Sequence, residues 1–233
     1  MIRWSRLPLF AVLHALFWLP VTYLVAISRD HISPFVPYVS ALGIYPPEQY
    51  MFMILMSSYG IMATMSQWIW CLKAGNEIRR KTRSKILHII RANYVVFMTA
   101  AGIFIVGLSF INTKQNNSLH YRLTLGNFIC HVTAIPLGAI VISFISTKWI
   151  LFSFGRLFVV LQMILASASF VHFNQIGLRV LRAKDFFYIK TYEPGYEEFK
   201  WSAISEWFVV FGCVEITFIT AMELREFERS SQK

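Results

Sequence analysis

The sequence predicts an all-α integral membrane protein, a six-transmembrane-helix bundle with cytosolic N- and C-termini and ordered lumenal or extracellular loops. Three observations carry that expectation. Of 233 residues, 56% are hydrophobic and 15% charged, against roughly 25% charged in soluble domains. Apolar runs of about 20 residues, enough to cross roughly 30 Å of hydrocarbon, occur six times. Lysine and arginine collect in alternate connections between those runs.

The first run, 7–27, follows Arg3 and Arg6. Ala26-Ile27-Ser28 resembles a signal-peptidase site, but the run exceeds the roughly 7–15 residues of a signal core and is expected to remain as a span. The connection 28–50 holds four of the eight prolines, Pro34, Pro37, Pro46 and Pro47. Fixed φ angles and missing N–H donors keep such a segment out of lipid. The second span is expected at 51–72, a basic cytosolic loop at 73–91, the third span at 93–111 and a short lumenal loop at 112–122. Spans four and five, 123–145 and 150–172, meet in a tight hairpin at Ser146, Thr147 and Lys148. A lumenal loop at 173–202, turning at Pro194-Gly195, precedes the sixth span, 203–222. Every loop is shorter than the roughly 50 residues a domain needs, so a single polytopic membrane domain occupies 1–233.

With the N-terminus inside, the cytosolic side carries 14 of the 22 basic residues and four acids, 14 − 4 = +10, and the outer side 8 − 6 = +2. Glu206 and Glu215 fall within the membrane. The same orientation puts the one glycosylation sequon, Asn116-Asn117-Ser118, on the lumenal side, close to the bilayer. The loop KAGNEIRRKTRSKILHIIR concentrates Lys73, Arg79, Arg80, Lys81, Arg83, Lys85 and Arg91 around one acid. Two readings stand for it: a topology determinant, or a surface for anionic lipid such as phosphoinositides, at about 1 kcal/mol per basic group. A short loop tethered at both ends excludes nucleic acid as the partner; membrane lipids and another membrane protein are the expected ones.

Polar residues within the spans are His14, Asn127, His131, Glu206 and Glu215. Glu215 and His14 each sit seven residues from a cytosolic edge, roughly 10 Å deep, which allows them to pair. Asn127 matches Glu206 in depth and is a candidate partner for it, or a helix-packing contact. Nine residues separate Glu206 from Glu215, placing them on opposite helix faces and excluding a catalytic carboxylate pair. His31, His120 and His172 join Glu206 at the outer edge, a pattern that would suit a lumenal metal hydrolase. No HExxH, CxxC, GxSxG or phosphate-binding glycine loop accompanies them. The expectation is therefore no catalytic residue, no metal and no cofactor, with a lumenal lipid hydrolase or remodelling enzyme as the alternative. Cys71, Cys130 and Cys213 all fall in spans, as small buried hydrophobes; Ala134 and Gly138 form a small-xxx-small packing pair.

HISPFVPYVSALGIYPPEQYMF resembles the first lumenal loop of the damage-regulated autophagy modulator (DRAM) family and its six-span relatives, and KWSAISEWFVVFGCVEITFITAMELREF is similar to that family's last span. The loop residues that carry the likeness are Pro34, Pro37, Tyr38, Ser40, Gly43, Pro47 and Glu48. One departure stands within it: Ala41-Leu42-Gly43 follows Ser40 where DRAM-type chains carry Asp-Thr-Gly. The relatives include a GPI-anchor lipid-remodelling factor of the Golgi and plasma-membrane regulators of phosphoinositide-kinase recruitment. The resemblance implies a non-enzymatic modulator of autophagy or lysosomal membranes acting on lipid organisation. A GPI-remodelling factor, or an accessory subunit or scaffold of a membrane protein or kinase complex, remains open. It likewise implies a lysosomal or endosomal membrane, or else the plasma membrane or Golgi.

Overall fold

The computed structural model of the chain describes residues 3–33, 35–180 and 191–230. Six long helices, α1 (Arg6–Ser28), α2 (Glu48–Lys81), α3 (Lys85–Phe110), α4 (Thr113–Ile145), α5 (Trp149–Val180) and α6 (Tyr196–Ser230), are joined by a 3₁₀ helix at Val39–Gly43. There is no strand among the described residues. Five of the helices, all but α2, are long and apolar enough to cross a membrane.

The helices run past the apolar segments, so several stretches expected as loops are helical. The 73–91 stretch is the end of α2 and the start of α3 around a turn at 82–84. Arg79, Arg80 and Lys81 occupy the last turn of α2, where cations favour the helix dipole, and Ser84 caps α3 by accepting the Leu87 N–H. Within 112–122, Asn112 and Gln115 form a reciprocal capping box that starts α4 at Thr113. The 173–202 stretch is helical up to Val180 and again from Tyr196. Hydropathy marks only the apolar part of a helix; its ends are set by caps and dipoles.

Each helix packs on its sequence neighbours, α1 closes the ring against α6, and α2 crosses the middle to touch α6. Close approach depends on small residues. A methyl group on Gly102 of α3 would lie 1.8 Å from Thr64 Oγ1 of α2, and one on Gly138 of α4 would lie 2.4 Å from Nη1 of Arg156. Burial is inverted relative to a water-soluble bundle: Phe154 is 70% exposed while Arg156, two residues on, is 0% exposed. The start of α1 and the end of α6 lie at one end of the bundle. There the Ser5 N–H and hydroxyl donate to Glu228, the Thr147 N–H donates to Glu226, and Lys81 Nζ donates to the Ile145 carbonyl. We call this the basic end.

Candidate functional site

At the opposite end the proline-rich segment folds over the bundle as a cap. Its 3₁₀ helix is almost wholly buried and presents its N-terminal N–H groups to α6. The Val39 N–H donates to Glu206 Oε2 at 2.6 Å, and the Ser40 hydroxyl and N–H bond the same carboxylate. A carboxylate there neutralises orphan donors and the positive end of the helix dipole. Next to it, Trp207 Nε1 donates to the Pro37 carbonyl at 2.8 Å.

Tyr38 plugs the cap against Phe170 and Phe199, with ring centroids 6.2 and 6.1 Å away and both contacts edge-on. Burial pushes its phenol well above the ordinary range, opposed by a hydrogen bond with Ser202, so it stays neutral. A side chain on Gly43 would begin 2.7 Å from the Phe52 ring, so the turn packs this closely only as glycine. Pro47 leads into Glu48, whose buried carboxylate bonds His31; that imidazole lies 5.0 Å from the Tyr45 ring, and Lys114 Nζ sits over the same Tyr45 ring, 4.6 Å from its centre. Pro34 lies outside the described residues.

Beneath the cap lies a cavity of about 70 Å³ bounded by α1, α2, α3, α4 and α6. We call it the slit. Its long walls are apolar, from Ala15, Leu19, Phe52, Leu55, Phe128 and Val214. The polar residues on its wall are already bonded within the protein. Glu206 and Ser40 hold each other, and Asn127 Nδ2 donates to the Ala101 carbonyl at 2.9 Å. His120 Nδ1 donates to the Ile111 carbonyl at 2.5 Å, and the Tyr59 hydroxyl donates to the Cys213 carbonyl at 2.7 Å.

The intramembrane polar residues divide differently from expectation. His14 and Glu215 do not pair: His14 Nε2 lies 2.8 Å from Ser58 Oγ, while Glu215 hydrogen-bonds Gln162 of α5. Depth alone matched them, but His14 faces α2 and Glu215 faces α5. Asn127 and Glu206 border the same slit, but each is bonded elsewhere. His131, buried, bonds the Asn127 carbonyl one turn back at 3.0 Å. His31, His120, His172 and Glu206 do not converge; each has its own partner, His172 stacking edge-on against Phe173, and no cluster of three potential metal ligands exists among the described residues. All three cysteines are buried and free.

At the basic end several cations serve local structure. Arg80 pairs with Glu77 at 2.7 Å, Arg79 bonds Asn76, Lys81 reaches Ile145, and Arg91 Nη1 donates to the Cys71 carbonyl at 2.8 Å across Gly75. Lys73 is half-buried, whereas Arg83 and Lys85 stand exposed at the turn. Asn116 is exposed at a kink in α4, its Oδ1 accepting the Leu119 N–H.

Sequence reasoning missed one constellation. Arg156 Nε and Nη2 donate to both carboxylate oxygens of Glu223, at 2.8 and 2.7 Å, with both side chains 0% exposed. Arg156 Nη1 also reaches the Tyr94 hydroxyl at 3.3 Å, which donates to Gln67 Oε1 at 2.5 Å, and the guanidinium lies 4.9 Å from the Trp70 ring centre. The sequence charge count includes both residues on the cytosolic side; in the structure both side chains are buried within the bundle. The signal was present: Arg156 falls inside the expected fifth span, where a charge needs a named partner.

A family model described as the Frag1/DRAM/Sfk1/Cwh43P N-terminal domain matches residues 3–227. No curated protein and no solved structure matches the chain.

Proposed function

The chain belongs to the Frag1/DRAM/Sfk1/Cwh43P family, and from that premise we propose that it is a non-enzymatic, six-span membrane protein that modulates autophagic or lysosomal membranes through lipid organisation. The observation that carries this reading is the apolar slit beneath the cap, in a bundle whose outer surface is itself apolar. Six spans require α2 to cross as well. It is 34 residues long, about 51 Å at 1.5 Å per residue, and packs between α1 and α3, both apolar enough to span. Its hydropathy is diluted by groups that are satisfied within the bundle: Ser57, Ser58 and Ser66 donate to carbonyls one turn back, and Gln67 bonds Tyr94.

The basic end is assigned to the cytosol by its excess of lysine and arginine, which puts the cap in the lumen. A cysteine at Arg83, in the exposed turn, should then react with an impermeant maleimide only from the cytosolic side. Reaction from the lumenal side would reverse the topology. Exposed Arg83 and Lys85 make that turn a surface for anionic headgroups, phosphoinositides included. The tagged chain should colocalise with lysosomal or endosomal markers, and its loss should change autophagic flux. Absence from those membranes together with unchanged flux would refute the reading. A lumenal GPI-remodelling activity is the competing proposal, and altered GPI-anchor lipids in cells lacking the chain would favour it.

A further inference from the structure

We propose that the slit beneath the cap is a binding site for the end of one hydrocarbon chain of a membrane lipid, entered sideways from the bilayer through a window between α1 and α6. This deepens the lipid-organising reading and rests on it for its setting.

The window is set by where the α1–α6 seam is closed. Toward the cap, the Tyr23 and Trp207 rings meet edge-on at 6.4 Å. Toward the basic end, Ala11, Val12 and Ala15 pack with Val214 in one buried cluster. Between these closures stand Leu16 and Phe211, which line the slit yet are 50% and 40% exposed on the outer, lipid-facing surface. The slit is thus continuous with the surface where acyl chains lie.

The occupant follows from volume and chemistry. At about 70 Å³ the slit is well below the roughly 150 Å³ that accepts a benzene ring, so it takes the terminal methylenes of one chain and no ring system. No lysine or arginine lines it, so a phosphate headgroup has no counter-charge there. Glu206, Asn127, His120 and Tyr59 are bonded to protein groups, which leaves hydrocarbon walls facing the space. An apolar cavity of this kind excludes water and gains dispersion contacts from an apolar guest. The headgroup stays outside, at the interface beside Tyr23 and Trp207, both amphipathic rings suited to that depth.

The test uses the full chain in nanodiscs of phosphatidylcholine carrying a diazirine in one acyl chain, with the crosslinked residues mapped by mass spectrometry after irradiation. Leu55 and Phe128, each under 10% exposed, line the slit away from the outer surface, and Ile103, 65% exposed, reports ordinary surrounding lipid. Wild type should label all three. Leu16→Trp, a change at an exposed position that narrows the window, should lose most labelling at Leu55 and Phe128 and keep that at Ile103. Ala15→Phe, which fills the slit itself, should do the same, and matched thermal unfolding midpoints exclude a folding defect. Labelling confined to Ile103 in wild type, or labelling of Leu55 and Phe128 undiminished in both variants, would overturn the site. Autophagic flux is scored separately: slit labelling without any flux phenotype would sink the cellular role and leave the site standing.

Discussion

Arg156 and Glu223 act as one unit, because either alone would be a bare charge in a dry interior. Replacing one partner of such a pair destabilises by about 3–5 kcal/mol, whereas replacing both with apolar residues of similar size is near neutral or stabilising. Arg156→Leu and Glu223→Leu should each lower unfolding stability in mixed micelles by that amount, and the double variant should recover most of it. Additive losses would mean that the two do not interact. At Glu206, removing the carboxylate leaves the Val39 N–H buried without an acceptor, worth about 1–3 kcal/mol. Glu206→Ala should speed amide exchange across 37–43 and Glu206→Gln, which keeps an acceptor, should do so less. Equal exchange in wild type and Glu206→Ala would contradict the capping role. Glu206 stood out in the sequence because carboxylates are rare within spans, and the cap residues around Tyr38 were marked by the family resemblance. Its bonding partner was not legible, because that partner is mostly backbone, and every residue has an N–H. Arg156 was hidden by a charge tally that ignored depth.

At the scale of elements, the tightest joint is α2 against α3. Gly102→Ala would drive a methyl into the Thr64 hydroxyl, and overpacking of this kind costs typically about 1–3 kcal/mol. Thermal unfolding of the reconstituted chain should show that loss for Gly102→Ala and its recovery on adding Thr64→Ala. Failure of the second change to rescue the first would mean that the two helices are not apposed at this point. The apolar runs foretold six helices, and six long helices stand among the described residues, running past those runs by up to about three turns. Arg79, Arg80, Lys81 and the Asn112–Gln115 box extend helices beyond the apolar segment, and neither registers in hydropathy. In α2, where the sequence places its second span at 51–72, serines bonded to their own helix lower the mean hydropathy, and this helix alone among the six falls short of the five that are apolar enough to cross.

For the whole molecule, charge asymmetry survives the loss of the buried pair from the surface: among the described residues 12 − 3 = +9 remains at the basic end. Neutralising Arg79, Arg80, Lys81 and Arg83 together should weaken binding to phosphoinositide-containing vesicles, steeply at low salt, while leaving neutral vesicles unaffected. Unchanged binding would return these residues to the local helix contacts that Arg79, Arg80 and Lys81 already make. The bundle and its apolar exterior could be anticipated from composition, the proline-rich segment of the cap from its prolines, and the α6 segment beneath it from the family resemblance. The slit could not, since it arises from five helices converging under a loop, and Ala15, Leu55, Phe128 and Val214 read in sequence as ordinary core.

The central claim is that this bundle holds lipid rather than merely being surrounded by it. Native mass spectrometry of the full chain, released from its membrane at energies that strip peripheral lipid, tests this most directly. The account predicts a discrete one-lipid adduct in wild type that is lost in Ala15→Phe. A bare polypeptide mass in wild type, or an adduct that persists in the slit-filled variant, would contradict it.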